Sequence, residues 1–332
     1  MSQLENRFGS DFPGTFFQSR ELNATKSDEY ATVDQLWNHL LEEQAVADDD
    51  ISTVTNLRRQ TQQGALYFRG QSNQGHGLSS SLHRLVGRES PAATTESLLS
   101  DLEETILEDA RSRGLGKSVS PGQLLMILQH HFAPTRLIDV SLTPLEALFF
   151  AVESNDAVDG RLFIIALNER PDKPSKMKLS ASEKLPWKRH VRNAAHSDAE
   201  WTQSVQLVDE EPLDPRMIAQ RGRFLVGGVQ RAYADLNIWF EDKQLRVVER
   251  QKISMLCMAF PKGSFRTSGT GWPAIGWTVR IPRAWKSELR TRLAADFNID
   301  RNSTYPDLGN IQWHAEIAAR DSLNGSDSTS IG

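Results

Sequence analysis

Segments with strand character and segments with helix character follow one another in this chain without a regular rhythm, and that order constrains its fold most. "ALYFRGQSN" reads as a short strand rich in aromatic and apolar residues, ended by Gly70. "TTESLLSDLEETILEDARSRG" and "SPGQLLMILQHH" carry helical spacing, the first ended by Gly114 and the second with Pro121 tolerated in its opening turn. "TPLEALFFAVES" starts a further helix at Pro144, with Leu145, Leu148, Phe149 and Val152 as its apolar positions, and "GRLFIIALN" reads as a buried strand. Strand character returns around Phe224 to Val226, one or two strands are expected in "QLRVVERQKISMLCMAF", and "WTVRIPRAWKSELRTRLAADFNI" gives a strand and then a helix starting near Pro282. Repeated βαβ units do not produce this order. It predicts an α+β fold with a mixed or largely antiparallel sheet flanked by helices.

The 332 residues suffice for one large domain or two small ones and for a sizeable core. Residues 1–27 are polar and aperiodic, so a flexible N-terminal arm is expected. Val33, Leu36, Trp37, Leu40 and Leu41 then mark one helical face, opening a main domain over 28–310. Within it, the polar stretch 169–215 reads as an insertion or lid, and 311–332 as a C-terminal extension with a disordered tail.

Composition narrows the function classes. A net charge of −5 gives no global electrostatic case for duplex DNA or an anionic membrane as the main partner. No window approaches the roughly 20 apolar residues of a membrane span, and "MSQLENRFGSDFPG" lacks a stretch of signal-peptide length. A soluble, cytoplasmic protein is the expectation. Cys257, the one cysteine, sits in the apolar run "KISMLCMAFP" and reads as a packed core thiol in a strand. His130 and His131 are adjacent and diverge by about 100° on a helix. Zinc-type helical pair spacing and CxxC are both absent, so no metal is expected. Phosphate-loop, dinucleotide-fold and nucleophile-elbow motifs are also absent, and "GTGWPAIG" reads as a hairpin or loop.

Three clusters carry chemistry. In "YFRGQ", Arg69 follows two aromatics and precedes a glycine turn; it reads either as a bidentate clamp for a phosphate or carboxylate or as an edge-strand salt bridge. In "QHHFAPTRLIDVSLTP", Pro134 stiffens a loop anchored by Leu137 and Ile138, and Arg136 and Asp139 are expected to pair across it. Ser141 and Thr143 are placed to cap the helix that starts at Pro144, whose N-terminus also attracts an anion. In "DPRMIAQRGRF", Gln220 precedes the Gly222 turn; its amide can serve a ribose or a nicotinamide-like group, or it is a turn side chain. The three clusters are expected to converge on one cleft.

Together these clusters resemble the FRG domain family, whose Phe-Arg-Gly motif is Phe68-Arg69-Gly70 here, continued by Gln71, Leu78 and "SLHR" at Ser81 to Arg84. Leu128 to Ala151 is similar to the family's central signature along almost its whole length. The later "RxxxQxGxF" motif is matched by Arg216, Gln220, Gly222 and Phe224, and the closing motif is approximated by Asn298 to Asn310. The chain departs from the pattern where the usual His-Tyr-Gly reads His130-His131-Phe132 and the usual Asp-Trp reads Asp139-Val140. A more distant likeness runs to ADP-ribosyltransferases, with Arg69, Ser141 to Thr143 and Gln220 in the order of that fold's three motifs. It implies an ADP-ribosyltransferase-like sheet and a fold-level analogy only.

The resemblances imply an NAD-linked effector of toxin or phage-defence type, without a metal. Arg69, Gln220 and His130 would be catalytic. Gln71, Arg84, Thr135, Arg136, Asp139, Ser141, Thr143 and Arg216 would bind the nucleotide, and a protein or nucleic acid would be the acceptor. Gln220 has no charge to stabilise an oxocarbenium ion; Glu249 and Glu316 are the carboxylates weighed in its place. The alternatives are a non-catalytic nucleotide- or nucleic-acid-binding module, and a hydrolase or nuclease.

Overall fold

The computed structural model describes residues 13, 16, 17, 32–48, 66–89, 94–168, 175–180, 183–191, 199–213, 215–230, 246–260 and 272–306. Its strands are β1 (Leu66–Gln71), β2 (Ile138–Ser141), β3 (Gly160–Leu167), β4 (Lys176–Met177), β5 (Gln206–Val208), β6 (Gly222–Val226) and β7 (Ala274–Ile281). Its helices are α1 (Val33–Asp48), α2 (Ser81–Glu89), α3 (Glu96–Ser112), α4 (Pro121–His130), α5 (Pro144–Val152), α6 (Ala199–Thr202), α7 (Pro215–Ala219), α8 (Val247–Ile253), α9 (Lys286–Phe297) and α10 (Arg301–Thr304). The fold is α+β, as the irregular order of elements predicts.

β3 explains the architecture. Every one of its residues is buried. Leu162, Ile164 and Ala166 point into one apolar cluster, and Phe163, Ile165 and Leu167 into another. A strand covered on both faces has no need of polar alternation, which is why "GRLFIIAL" reads as a continuous apolar run. The seven strands lie in the order β4-β5-β6-β2-β1-β3-β7. β4 and β5 are parallel, and every other neighbouring pair is antiparallel.

α5 lies against β1, and Gly70 sets how closely. A Cβ at Gly70 would stand 1.8 Å from the Ala147 carbonyl oxygen and 2.6 Å from the Ala151 nitrogen. Only glycine permits that approach, so the third residue of the Phe-Arg-Gly motif is a packing requirement. α1 and α9 complete this layer through Leu36, Leu40, Leu289 and Leu293. On the opposite face, Leu82 and Val86 of α2 pack with Tyr67, Phe163 and Phe260. Phe16 and Phe17, from the expected N-terminal arm, are buried in the same cluster. α4 starts as its sequence predicts: Ser120 accepts from Gln123 N, the Gln123 side chain answers, and Pro121 occupies the first turn.

A third cluster gathers Leu124, Leu125, Leu137, Trp187, Trp201 and Phe224. It corrects the expected Arg136–Asp139 pair. Arg136 is fully buried and pairs with Glu103 through Nε at 2.6 Å and with Glu96 through Nη1. Trp187 Nε1 donates to Glu103 at 2.9 Å, Trp201 Nε1 to Glu96 at 2.9 Å, and Val229 N to Glu96 at 2.8 Å. Arg136 and Asp139 are three residues apart at the start of β2, yet Arg136 serves the core while Asp139 is half-exposed. The tryptophans come from the polar stretch 169–215, whose described residues also supply β4 and β5.

The segment expected as strand before Cys257 is instead the helix α8. Glu249 accepts from Arg246 N at 2.6 Å and closes the first turn, so a capping interaction overrides the β-branched Val247-Val248 pair. Cys257 is buried, as expected, but it lies between single bridges rather than in a strand. Among the described residues no helix is long and apolar enough to cross a membrane.

Candidate functional site

Arg69 stands near the end of β1, opposite Phe163 of β3. On its other side β1 meets β2, with Phe68 paired to Ser141, and β2 meets β6, with Asp139 paired to Phe224. The three motif strands are therefore adjacent, in the order β6-β2-β1. Their ends, with the loops after β1 and α4, enclose a cleft of about 430 Å³.

Its lining brings together eight of the residues singled out from the sequence: Arg69, Gln71, Arg84, His130, Asp139, Ser141, Arg216 and Gln220. Thr135, Arg136 and Thr143 are not in the lining and are buried. Thr135 Oγ1 donates to Gln129 Oε1 at 2.6 Å, and Gln129 Nε2 in turn donates to Asp139 at 2.8 Å, so Thr135 acts on the cleft through two side chains. Thr143 is the residue before α5, but its hydroxyl makes no cap; it donates to Glu146 in the helix's first turn. Glu146 places a negative charge at that N-terminus, close to Arg221 Nε at 3.4 Å. The anion expected there is thus the chain's own.

Arg69 Nη1 donates to the Asp139 carbonyl at 2.5 Å and approaches its carboxylate at 3.4 Å. Arg69 Nε is buried and, among the described residues, has no hydrogen-bond partner. Arg84 Nη1 donates to Ser79 O at 2.5 Å. Burial, and then the charge of Arg69, bring the Arg84 pKa down to about 10, against the opposing pull of Asp139. His76 is held below the ordinary histidine range by burial, then by Arg84 and Arg69. The guanidinium group of Arg69 therefore disfavours the charge of Arg84 across this wall of the cleft.

Gln220 does not point a free amide at the cleft. Its Nε2 donates to Thr304 O at 3.1 Å. The next residue, Tyr305, donates its hydroxyl to Glu153 at 2.8 Å. Burial pushes the Glu153 carboxyl above its ordinary value, with Tyr305 and Arg301 pulling the other way. Glu153, Tyr305, His76, Gln129, Phe132 and Arg223 line the cleft and escaped the sequence reading. Tyr305 falls in the closing motif, which offered a signal. Glu153 ends an apolar helix, where nothing marks it. Of the two carboxylates weighed from sequence, Glu249 is committed to its own helix start and Glu316 lies outside the described residues.

The FRG domain family model matches residues 64–160. The chain carries an FRG domain. The match holds the Phe-Arg-Gly motif and the whole central signature, and hence β1, β2 and α5. The FRG domain thus supplies Arg69, Arg84, Asp139 and Glu153, while Gln220 and Tyr305 come from the chain beyond it. No curated protein and no solved structure matches the chain. A larger groove of about 890 Å³, rich in lysine, lies by β4 and β5 and contains none of the motif residues. The motif residues are concentrated in the smaller cleft.

Proposed function

We propose that the cleft binds a pyrophosphate-bearing nucleotide of the NAD type. The observation that carries this reading is the pairing of Arg69 with Arg84. Four arginines line the cleft against two carboxylates, Asp139 and Glu153. The charge of Arg69 disfavours that of Arg84, and Arg69 keeps a buried donor without a hydrogen-bond partner among the described residues. A dianionic group between them would relieve the repulsion and could accept a hydrogen bond from Arg69 Nε. Phe132, Phe150 and Tyr305 offer aromatic surface beside this cationic wall, which suits a base attached to the phosphates.

Calorimetric titration of NAD, ADP-ribose and inorganic pyrophosphate tests the reading. Binding of all three, weakened by Arg84→Gln, is the expected result. If none of them binds, or if Arg84→Gln leaves every affinity unchanged, the reading is lost.

A second reading, NAD-dependent ADP-ribosyl transfer to a protein or nucleic acid, is favoured by Glu153. Its carboxylate lines the same cleft and is held by Tyr305. Ionised, it would supply the negative charge that Gln220 lacks. An effector of toxin or phage-defence type that consumes NAD would lower cellular NAD on induced expression, and Glu153→Gln would abolish the fall. Unchanged NAD with the wild-type chain leaves the binding reading alone.

A further inference from the structure

Phe132 breaks two rules of a well-folded chain at once. Its backbone is left-handed, at φ 62°. Side chains rarely adopt that conformation, and asparagine, which fills two of the other three such positions at Asn155 and Asn298, tolerates it far better than an aromatic. The residue is also 78% exposed, more than any other large apolar residue among those described. Neither feature helps the fold. Strain and apolar exposure at one residue mark a place where binding supplies the compensation.

The surroundings say what is bound. Phe132 lines the cleft. The Arg216 guanidinium lies 5.6 Å from its ring centroid, and Arg216 Nη1 donates to His130 O at 3.3 Å, which ties the cation to the end of α4. An aromatic ring with a guanidinium beside it and most of its surface open is a platform for a second flat π system. The cationic wall formed by Arg69 and Arg84 belongs to the same cleft.

We infer that Phe132 and Arg216 form the base-stacking wall of the cleft, so that it selects a nucleotide over a base-free phosphate. This rests on the nucleotide reading above and adds which part of the ligand confers selectivity.

The test compares ADP with inorganic pyrophosphate on the full chain and on Phe132→Gly, Phe132→Ala and Phe132→Trp. Glycine removes the ring and the backbone strain together, so Phe132→Gly should raise the melting temperature while weakening ADP binding by about five-fold or more, the lower end of what one base–aromatic stack contributes. Phe132→Ala removes the ring and keeps the strain; it should weaken ADP equally, with no comparable gain in stability. Phe132→Trp should retain ADP affinity. Pyrophosphate should bind all four proteins alike. ADP affinity unchanged in Phe132→Gly overturns the inference, as does an equal loss for ADP and pyrophosphate, and in both cases the nucleotide reading survives. A wild-type chain that binds neither ligand ends both.

Discussion

Arg69 holds Asp139 by its main chain more closely than by its carboxylate: Nη1 is 2.5 Å from the carbonyl oxygen and 3.4 Å from Oδ2. The carboxylate is 48% exposed and has a second partner in Gln129. Exposed ion pairs contribute about 0.2–1 kcal/mol. Asp139→Asn should therefore change the urea midpoint little, since the carbonyl bond survives. It should also remove the negative charge nearest Arg69 and so tighten the binding of an anion. Titration of pyrophosphate against both proteins checks this, and weaker binding in Asp139→Asn would show that the carboxylate holds Arg69 in its binding position.

The opposite outcome is expected at Arg136. Its partners Glu96 and Glu103 are buried with it, so removing the guanidinium leaves two carboxylates without a counter-charge. Breaking a buried pair in this way costs about 3–5 kcal/mol. Arg136→Met should lose that much stability in urea, and the triple variant with Glu96→Gln and Glu103→Gln should recover part of it. Ligand affinity per folded molecule should be unchanged, because Arg136 does not line the cleft.

The contrast shows what was legible in the sequence. The fold class follows from the order of strand and helix signals, and the joining of the three motif clusters follows from their shared pairing of polar side chains with apolar anchors. Which arginine meets which acid does not follow. Arg136, just before β2, and Asp139 within it are close in sequence, but their long-range partners are 33 and 70 residues away. Helix α8 does not follow from local β propensity, because a side-chain cap at Glu249 outweighs it. Glu153 escaped because its role depends on Tyr305, 152 residues further along the chain.

His83 gives a prediction in acid. Burial, opposed by a hydrogen bond with Gln251 and reinforced by Arg84, lowers its pKa to about 4. A histidine depressed in the folded state contributes stability above its unfolded pKa of about 6.5 and loses it as pH falls toward the folded value. The loss between pH 6.5 and 4 should be about 3 kcal/mol, at 1.36 kcal/mol per unit. Urea unfolding across that window should show a shallower acid decline in His83→Gln than in the wild type, and identical slopes would place the charged imidazole comfortably within the fold.

Glu153 behaves with the opposite sign. Burial raises its pKa in the folded state, against the Tyr305 hydrogen bond and the charge of Arg301. The folded chain therefore holds the carboxyl proton more tightly than the unfolded chain does. Its stabilising share is complete below the ordinary value of 4.5 and is lost as pH rises through the raised folded value. Glutamine mimics the protonated form and can still accept from Tyr305. Glu153→Gln should accordingly unfold at higher urea than the wild type at pH 7, with the difference closing near pH 4. NAD affinity should remain, because Glu153 is not one of the cationic groups proposed to grip the phosphates. If the transfer reading holds, nicotinamide release from NAD should disappear in this variant while binding persists. A variant that is less stable at pH 7 would mean that the ionised carboxylate is the form the fold requires, and Glu153 would then be a brace for Tyr305.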